Sequence, residues 1–164
     1  MNKIVLLLFL ISTQVMSDDL PENSVLPARA ELLTHFQNMD IVKKSEWQQG
    51  KVVEGQPVLS ARYGEDLYFI NNDAVISMSL TKGADGYKEA GHAASTCLNI
   101  AYAVTNKKSS NIKNAVMEII EEAAGHESGS SGDIVDGYWF TVDIKNIERH
   151  PLLKCEVKGF TRWD

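Results

Sequence analysis

Between Glu46 and Thr81 the apolar residues recur with a period of two, and turn signals divide the stretch into short runs. Side chains on a strand alternate between faces, so this stretch is built for short strands joined by tight reversals. Trp47–Val53, Val58–Tyr63, Leu67–Ile70 and Ala74–Leu80 are the candidate strands. Glu54-Gly55-Gln56-Pro57, Gly64-Glu65-Asp66 and Asn71-Asn72-Asp73 supply the turns, the last because Asn and Asp tolerate left-handed backbone. In the fourth run Ile76, Met78 and Leu80 alternate against Val75, Ser77 and Ser79. The pattern predicts an antiparallel meander.

The period changes on both sides of this block. Leu32, Phe36 and Met39, with Leu33 beside them, predict a helix over about 27–39, and Pro27 suits its first turn. Gly83–Gly86 breaks the sheet pattern. A helix is predicted over about 87–105, with Ala90, Ala94, Cys97, Ala101 and Val104 as its inner stripe. A second helix follows to about Ala124, capped by Ser110 or Asn111, with Ile112, Val116, Ile119, Ile120 and Ala123 on its apolar face. The short link makes the two an antiparallel pair. His126–Asp133 holds Glu127, three serines and two glycines and reads as a mobile surface loop. Tyr138, Phe140, Val142 and Ile144 alternate with Trp139, Thr141 and Asp143, and Leu153, Cys155 and Val157 alternate with Lys154, Glu156 and Lys158. These are two further strands. The expected fold is α+β: an antiparallel sheet of five to six strands, a helical hairpin packed on one face, and a short N-terminal helix over an edge or part of the other face.

The first seventeen residues have a different character. Met1-Asn2-Lys3 is basic, Ile4–Ile11 is unbroken apolar sequence, and Ser12–Ser17 is small and polar. That layout predicts a secretory signal peptide over 1–17, too short in its apolar part to anchor in a bilayer. Residues 18–164 are then expected to form a single globular domain, periplasmic or secreted, without stable membrane insertion. In an oxidising compartment Cys97 and Cys155 read as one disulfide, and both lie on apolar stripes. No Asn-X-Ser/Thr acceptor occurs, which fits a bacterial source.

Removing the signal segment leaves 15 Lys+Arg against 22 Asp+Glu, a charge of −7. Nucleic acid is a poor partner for such a chain, since phosphate contacts need clustered cations. A basic protein partner is favoured electrostatically.

No catalytic signature stands out. Glu89-x-x-His92 has the acid–imidazole spacing of di-iron bundles, which need it twice with two further glutamates; one copy is present. Glu122 and His126 form a second pair, but His126 at a helix end also complements the helix dipole. The four histidines show no metal-ligand clustering, so neither metal nor cofactor is expected. Ser95 lacks a Gly-x-Ser-x-Gly elbow, and the Gly-Ser stretch at 129–132 lacks the Lys-Ser/Thr ending of a P-loop.

Two features suit a docking surface. Glu118, Glu121, Glu122 and Glu127 form an acidic cluster at the end of the second long helix. Trp139 falls on the opposite side of its strand from Tyr138 and Phe140, where a large aromatic can anchor a partner. Export, small size, acidity and the lack of a catalytic set together point to a protein-binding module, such as an inhibitor or immunity protein against a toxin or hydrolase, and not to an enzyme. A small-ligand or lipid carrier with a pocket between helices and sheet is the alternative. A hydrolase with an unrecognised site is the third reading.

Overall fold

The computed structural model describes residues 23–53, 55–82, 85–148 and 150–161. The signal-peptide reading at 1–17 and the third tryptophan, Trp163, lie outside the described residues. Seven strands form one antiparallel sheet: β1 (Gln48–Val53), β2 (Gln56–Tyr63), β3 (Asp66–Ile70), β4 (Ala74–Leu80), β5 (Ser130–Val135), β6 (Tyr138–Ile147) and β7 (His150–Lys158). Their order across the sheet is β1-β2-β3-β4-β7-β6-β5. The meander β1–β4 is therefore joined to a second meander, β5–β7, by the β4–β7 ladder.

The two meanders are separated in the chain by α2 (Gly86–Thr105) and α3 (Ser110–Gly125), which lie on one face of the sheet; α1 (Arg29–Asn38) packs beside α2. Asp85 caps α2 by accepting from the Lys88 amide, and Asn106, at φ 53°, ends it in left-handed backbone. Ser109, one residue before the expected cap, accepts from the Ile112 amide at 3.3 Å and starts α3. Ile112, Val116, Ile119 and Ala123 are buried on α3, as the periodicity requires. On α2 the buried stripe runs through Ala93, Ala94, Cys97, Ile100, Ala101 and Val104, while Ala90 is exposed. The stripe begins a turn later than expected, at Ala93. Pro27 precedes the α1 cap, Ala28, rather than opening the helix.

The Cys97–Cys155 disulfide joins α2 to β7 with a Cα–Cα separation of 5.4 Å, within ordinary disulfide geometry. Beneath the helices Phe36, Tyr68, Ile70, Val75, Ile100, Phe140, Val142 and Val157 form a continuous core. Phe36 meets both Trp47 and Tyr68 edge to face, at centroid distances of 5.1 and 5.8 Å. The N-terminal helix thus covers the β1–β3 end of the helix-bearing face, not the other face.

Two turns differ from their sequence reading. The Asn71–Asp73 reversal uses no left-handed residue. Asn71 Oδ1 instead accepts from the amides of Asp73 (2.8 Å) and Ala74 (2.6 Å), which is an Asx turn. The stretch read as a mobile loop after α3 contains an edge strand. From Ser130 to Val135 it pairs residue by residue with β6, Ser130 opposite Asp143 and Val135 opposite Tyr138. Serine and glycine give little strand propensity, but tertiary pairing overrides it. Gly129 makes the entry possible: it sits at φ 68°, and a Cβ there would lie 2.5 Å from the Ile144 carbonyl oxygen.

Candidate functional site

Alternation along β3 and β4 divides their side chains between the two faces of the sheet. Tyr68 opposes Ser77 and Ile70 opposes Val75, all under the helices; Leu67 opposes Met78 and Phe69 opposes Ile76, all on the face that no helix among the described residues covers. The covered face of these strands carries Asp66, Tyr68, Ser77 and Ser79, every one of them buried. The open face carries Leu67, Phe69, Ile76, Met78 and Leu80. The covered face also carries Ile70 and Val75, so both faces of these strands are largely apolar, with Asp66, Ser77 and Ser79 as polar groups within the buried one.

The apolar strip continues onto β7 and the end of β6. Leu80 opposes Leu152. Leu80 and Ile147 remain 39% and 48% exposed. Leu67, Met78, Leu80, Ile147 and Leu152 line an open groove of about 490 Å³ whose rim carries Arg62, Glu65 and Lys82. Lys82 is ion-paired with Glu65.

Beside the strip runs a charged ladder. Met78 opposes Lys154, which opposes Asp143 on β6; Ile76 opposes Glu156, which opposes Thr141. Lys154 Nζ lies 2.7 Å from Glu156 and 3.8 Å from Asp143, and Lys158 holds the other Glu156 oxygen. Burial alone would raise the Glu156 pKa, but the two ammonium groups outweigh it and hold the carboxyl below its ordinary range. The ladder separates the apolar strip from Trp139, which opposes Lys158 and is 38% exposed. The indole is close to the backbone of β5: a Cβ on Gly132 would come within 3.3 Å of its ring.

The acidic cluster lies elsewhere. Glu118, Glu121, Glu122 and Glu127 are all exposed, but they belong to α3 and the turn after it, in the layer that covers the other face of the sheet. Glu122 Oε2 accepts from Ser131 Oγ at 2.8 Å, which ties it to β5. His126 is engaged with Ser128, at 2.8 Å from its hydroxyl. Trp139 and the glutamates therefore do not make one continuous surface.

A second polar arrangement escaped the sequence reading. Asp66 opens β3, is only 2% exposed, and places Oδ2 3.0 Å from His92 Nε2 on α2. His92 is otherwise open to solvent, its side chain 60% exposed. Asp66 Oδ1 and Ser77 Oγ are buried without a hydrogen-bond partner among the described residues. One strand position further on, Asn99 Nδ2 donates to the Tyr68 hydroxyl at 3.0 Å. Burial drives the Tyr68 pKa up to about 12, against the opposing hydrogen bond from Asn99. An imidazole held by a buried carboxylate has the form of an acid–base pair, but among the described residues no hydroxyl or thiol is bonded to its other nitrogen. The pair links α2 to β3. The sequence signal was available in Ser77 and Ser79, which share a face with Tyr68 rather than facing water.

Among the described residues no group of three His, Cys, Asp or Glu side chains could hold a metal, and no helix is long and apolar enough to cross a membrane. Both cysteines are in the disulfide. No protein-family model, no curated protein and no solved structure matches this chain.

Proposed function

We propose that this chain is an exported protein-binding module, an inhibitor or immunity protein that blocks a toxin or hydrolase, with the open sheet face as its main docking surface. The observation that carries the reading is the second apolar row of β3 and β4, turned away from the helices. Leu67, Phe69, Ile76 and Met78 face away from the core while Ser77, Ser79 and Asp66 are buried in it. An apolar strip left on an uncovered face is a feature of interaction surfaces rather than of solvated ones. The polar ladder and Trp139 beside it match the usual division of an interface into an apolar centre and a polar rim.

The disulfide is compatible with export, for which the first seventeen residues are the sequence argument. The acidic end of α3 is a second surface, suited to steering a basic partner, on the opposite side of the sheet. The carrier reading has less support: the space between α2 and the sheet is filled by Val75, Cys97, Ile100, Cys155 and Val157.

The test is capture of a partner by the disulfide-bonded domain beginning near Asp18, followed by purification and binding measurements with the wild type and Met78→Lys. A partner that binds the wild type and loses affinity for Met78→Lys supports the reading. A captured protein indifferent to both Met78→Lys and charge reversal on α3 counts against either docking surface. A domain that co-purifies with a small molecule and captures no protein replaces the reading with the carrier.

A further inference from the structure

The groove on the open face has a charge preference of its own. Arg62 lies directly opposite Leu67 in the β2–β3 ladder, and Leu67 lies opposite Met78. The three form one row, running from an exposed guanidinium onto the apolar floor of the groove. Arg62 makes no hydrogen bond or ion pair among the described residues, whereas the acids around the groove are already engaged. Glu65 is held by Lys82, and Glu156 by Lys154 and Lys158. Lys145, opposite Leu152 and exposed, adds a further cation at the other side of the strip. The open face therefore offers unpaired positive charge, although the chain as a whole carries a net charge of −6.

We propose that the groove takes an extended segment of a partner protein in which apolar residues alternate with acidic ones. This inference rests on the binding-module reading and specifies the partner's chemistry at that site. In such a segment successive side chains point to opposite sides, so one apolar row enters the groove over Leu67, Met78 and Leu152. A carboxylate at its margin pairs with Arg62, whose planar fork suits bidentate contact with a carboxylate. The apolar row supplies the burial, and Arg62 supplies discrimination against a basic segment.

Three peptides of equal length serve as probes: alternating Leu and Glu, alternating Leu and Lys, and alternating Ser and Glu. Titration into the disulfide-bonded domain is followed by methyl and amide chemical shifts. The Leu/Glu peptide should shift Leu67, Met78, Leu80 and Leu152 and bind at least about tenfold more tightly than either control. Arg62→Glu should remove that advantage and transfer preference to the Leu/Lys peptide. Met78→Lys should weaken the Leu/Glu peptide, while Lys113→Glu on α3 should leave it unchanged. Circular dichroism and melting temperature establish that each variant is folded.

Equal binding of the Leu/Lys peptide overturns the proposal, as does no binding of Leu/Glu at about 1 mM. Equal binding of Ser/Glu reduces the site to a charge effect and also overturns it. Saturation of the same methyl groups by dodecanoate with no peptide binding, or by self-association in sedimentation, assigns the groove to another occupant. A natural partner whose affinity falls with Met78→Lys but not with Arg62→Glu leaves the binding-module reading standing and removes this one alone.

Discussion

Ser77 stands directly opposite Cys155 in the β4–β7 ladder, on the face of the sheet that the disulfide ties to α2. Its neighbour Met78 turns to the other face, opposite Lys154. Ser77 is fully buried and its hydroxyl is without a partner among the described residues. A buried hydroxyl left unsatisfied costs about 1–3 kcal/mol. Ser77→Ala should therefore be neutral or stabilising by up to about 1 kcal/mol in urea unfolding. A loss of more than that would mean that the hydroxyl is bonded in solution and that the covered face needs it.

The disulfide should contribute to stability without contributing to binding. It links residues 58 apart in the chain. Closing a loop of that size constrains the unfolded chain by about 4 kcal/mol. Replacing Cys97 and Cys155 together by Ala should lower the unfolding free energy by an amount of that order. The unreduced native protein should weigh two hydrogens less than the reduced one. The open face lies across the sheet from the bridge, so the folded fraction of the double variant should bind as the wild type does.

Tyr68 sets an alkaline limit. Its pKa is raised from 10.0 to about 12 by burial. The folded state thus holds the phenolic proton more tightly than the unfolded state. The associated stability is complete below pH 10 and is lost as pH rises from 10 to about 12, by up to about 3 kcal/mol. Ultraviolet titration should show a tyrosine ionising near pH 12 while the protein remains folded, a step absent from Tyr68→Phe. That variant should also lose about 1 kcal/mol at neutral pH, because Asn99 Nδ2 loses its acceptor.

Glu156 acts in the acid range with the opposite sign. Burial pushes its carboxyl upward, but Lys154 and Lys158 prevail and hold it below its ordinary value of 4.5. A depressed carboxyl stabilises the fold above that value, and the contribution is lost as pH falls through the folded value. Stability measured between about pH 6 and pH 3 should fall less steeply in Glu156→Gln than in the wild type. Equal slopes would mean that the ladder is loose in solution.

The architecture was legible where the periodicity was strong. The meander, the two long helices and the disulfide follow from alternation, helical stripes and two cysteines in one chain. β5 was not legible, because Ser130, Ser131 and Gly132 carry no strand signal and are ordered by pairing with β6. The candidate site was only partly legible. Alternation placed Trp139 away from Phe140, and the acidic cluster is exposed as its helical spacing implied. The side of β4 that meets the core could not be read from that strand. Ile76, Met78 and Leu80 look like the inner row until β3 and β7 fix which face the helices cover. The Asp66–His92 pair was hidden for a related reason: Asp66 resembled a turn residue, and only the tertiary fold brings it to α2.

The acidic cluster and Trp139 occupy opposite faces of the sheet, so their effects on a partner should be separable. Reversing Glu118, Glu121 and Glu122 to Lys should lower the association rate of a basic partner and flatten its salt dependence, since exposed charge acts mainly on encounter. Glu122 also loses its bond from Ser131, so a small fall in stability is expected. Trp139→Ala should instead raise the dissociation rate of a partner seated on the open face, because a buried aromatic acts after contact. The two sites meet only through adjacent residues of β5, Ser131 and Gly132, so the combined variant should show close to the sum of the two effects, within about 0.5 kcal/mol. Association and dissociation rates for all four proteins, at two salt concentrations, test this. Coupling well above that value would mean that one partner wraps the edge at β5 and reads both faces. Wild-type rates in both single variants would place the docking surface away from α3 and Trp139, on the remaining strip between Arg62 and Leu152.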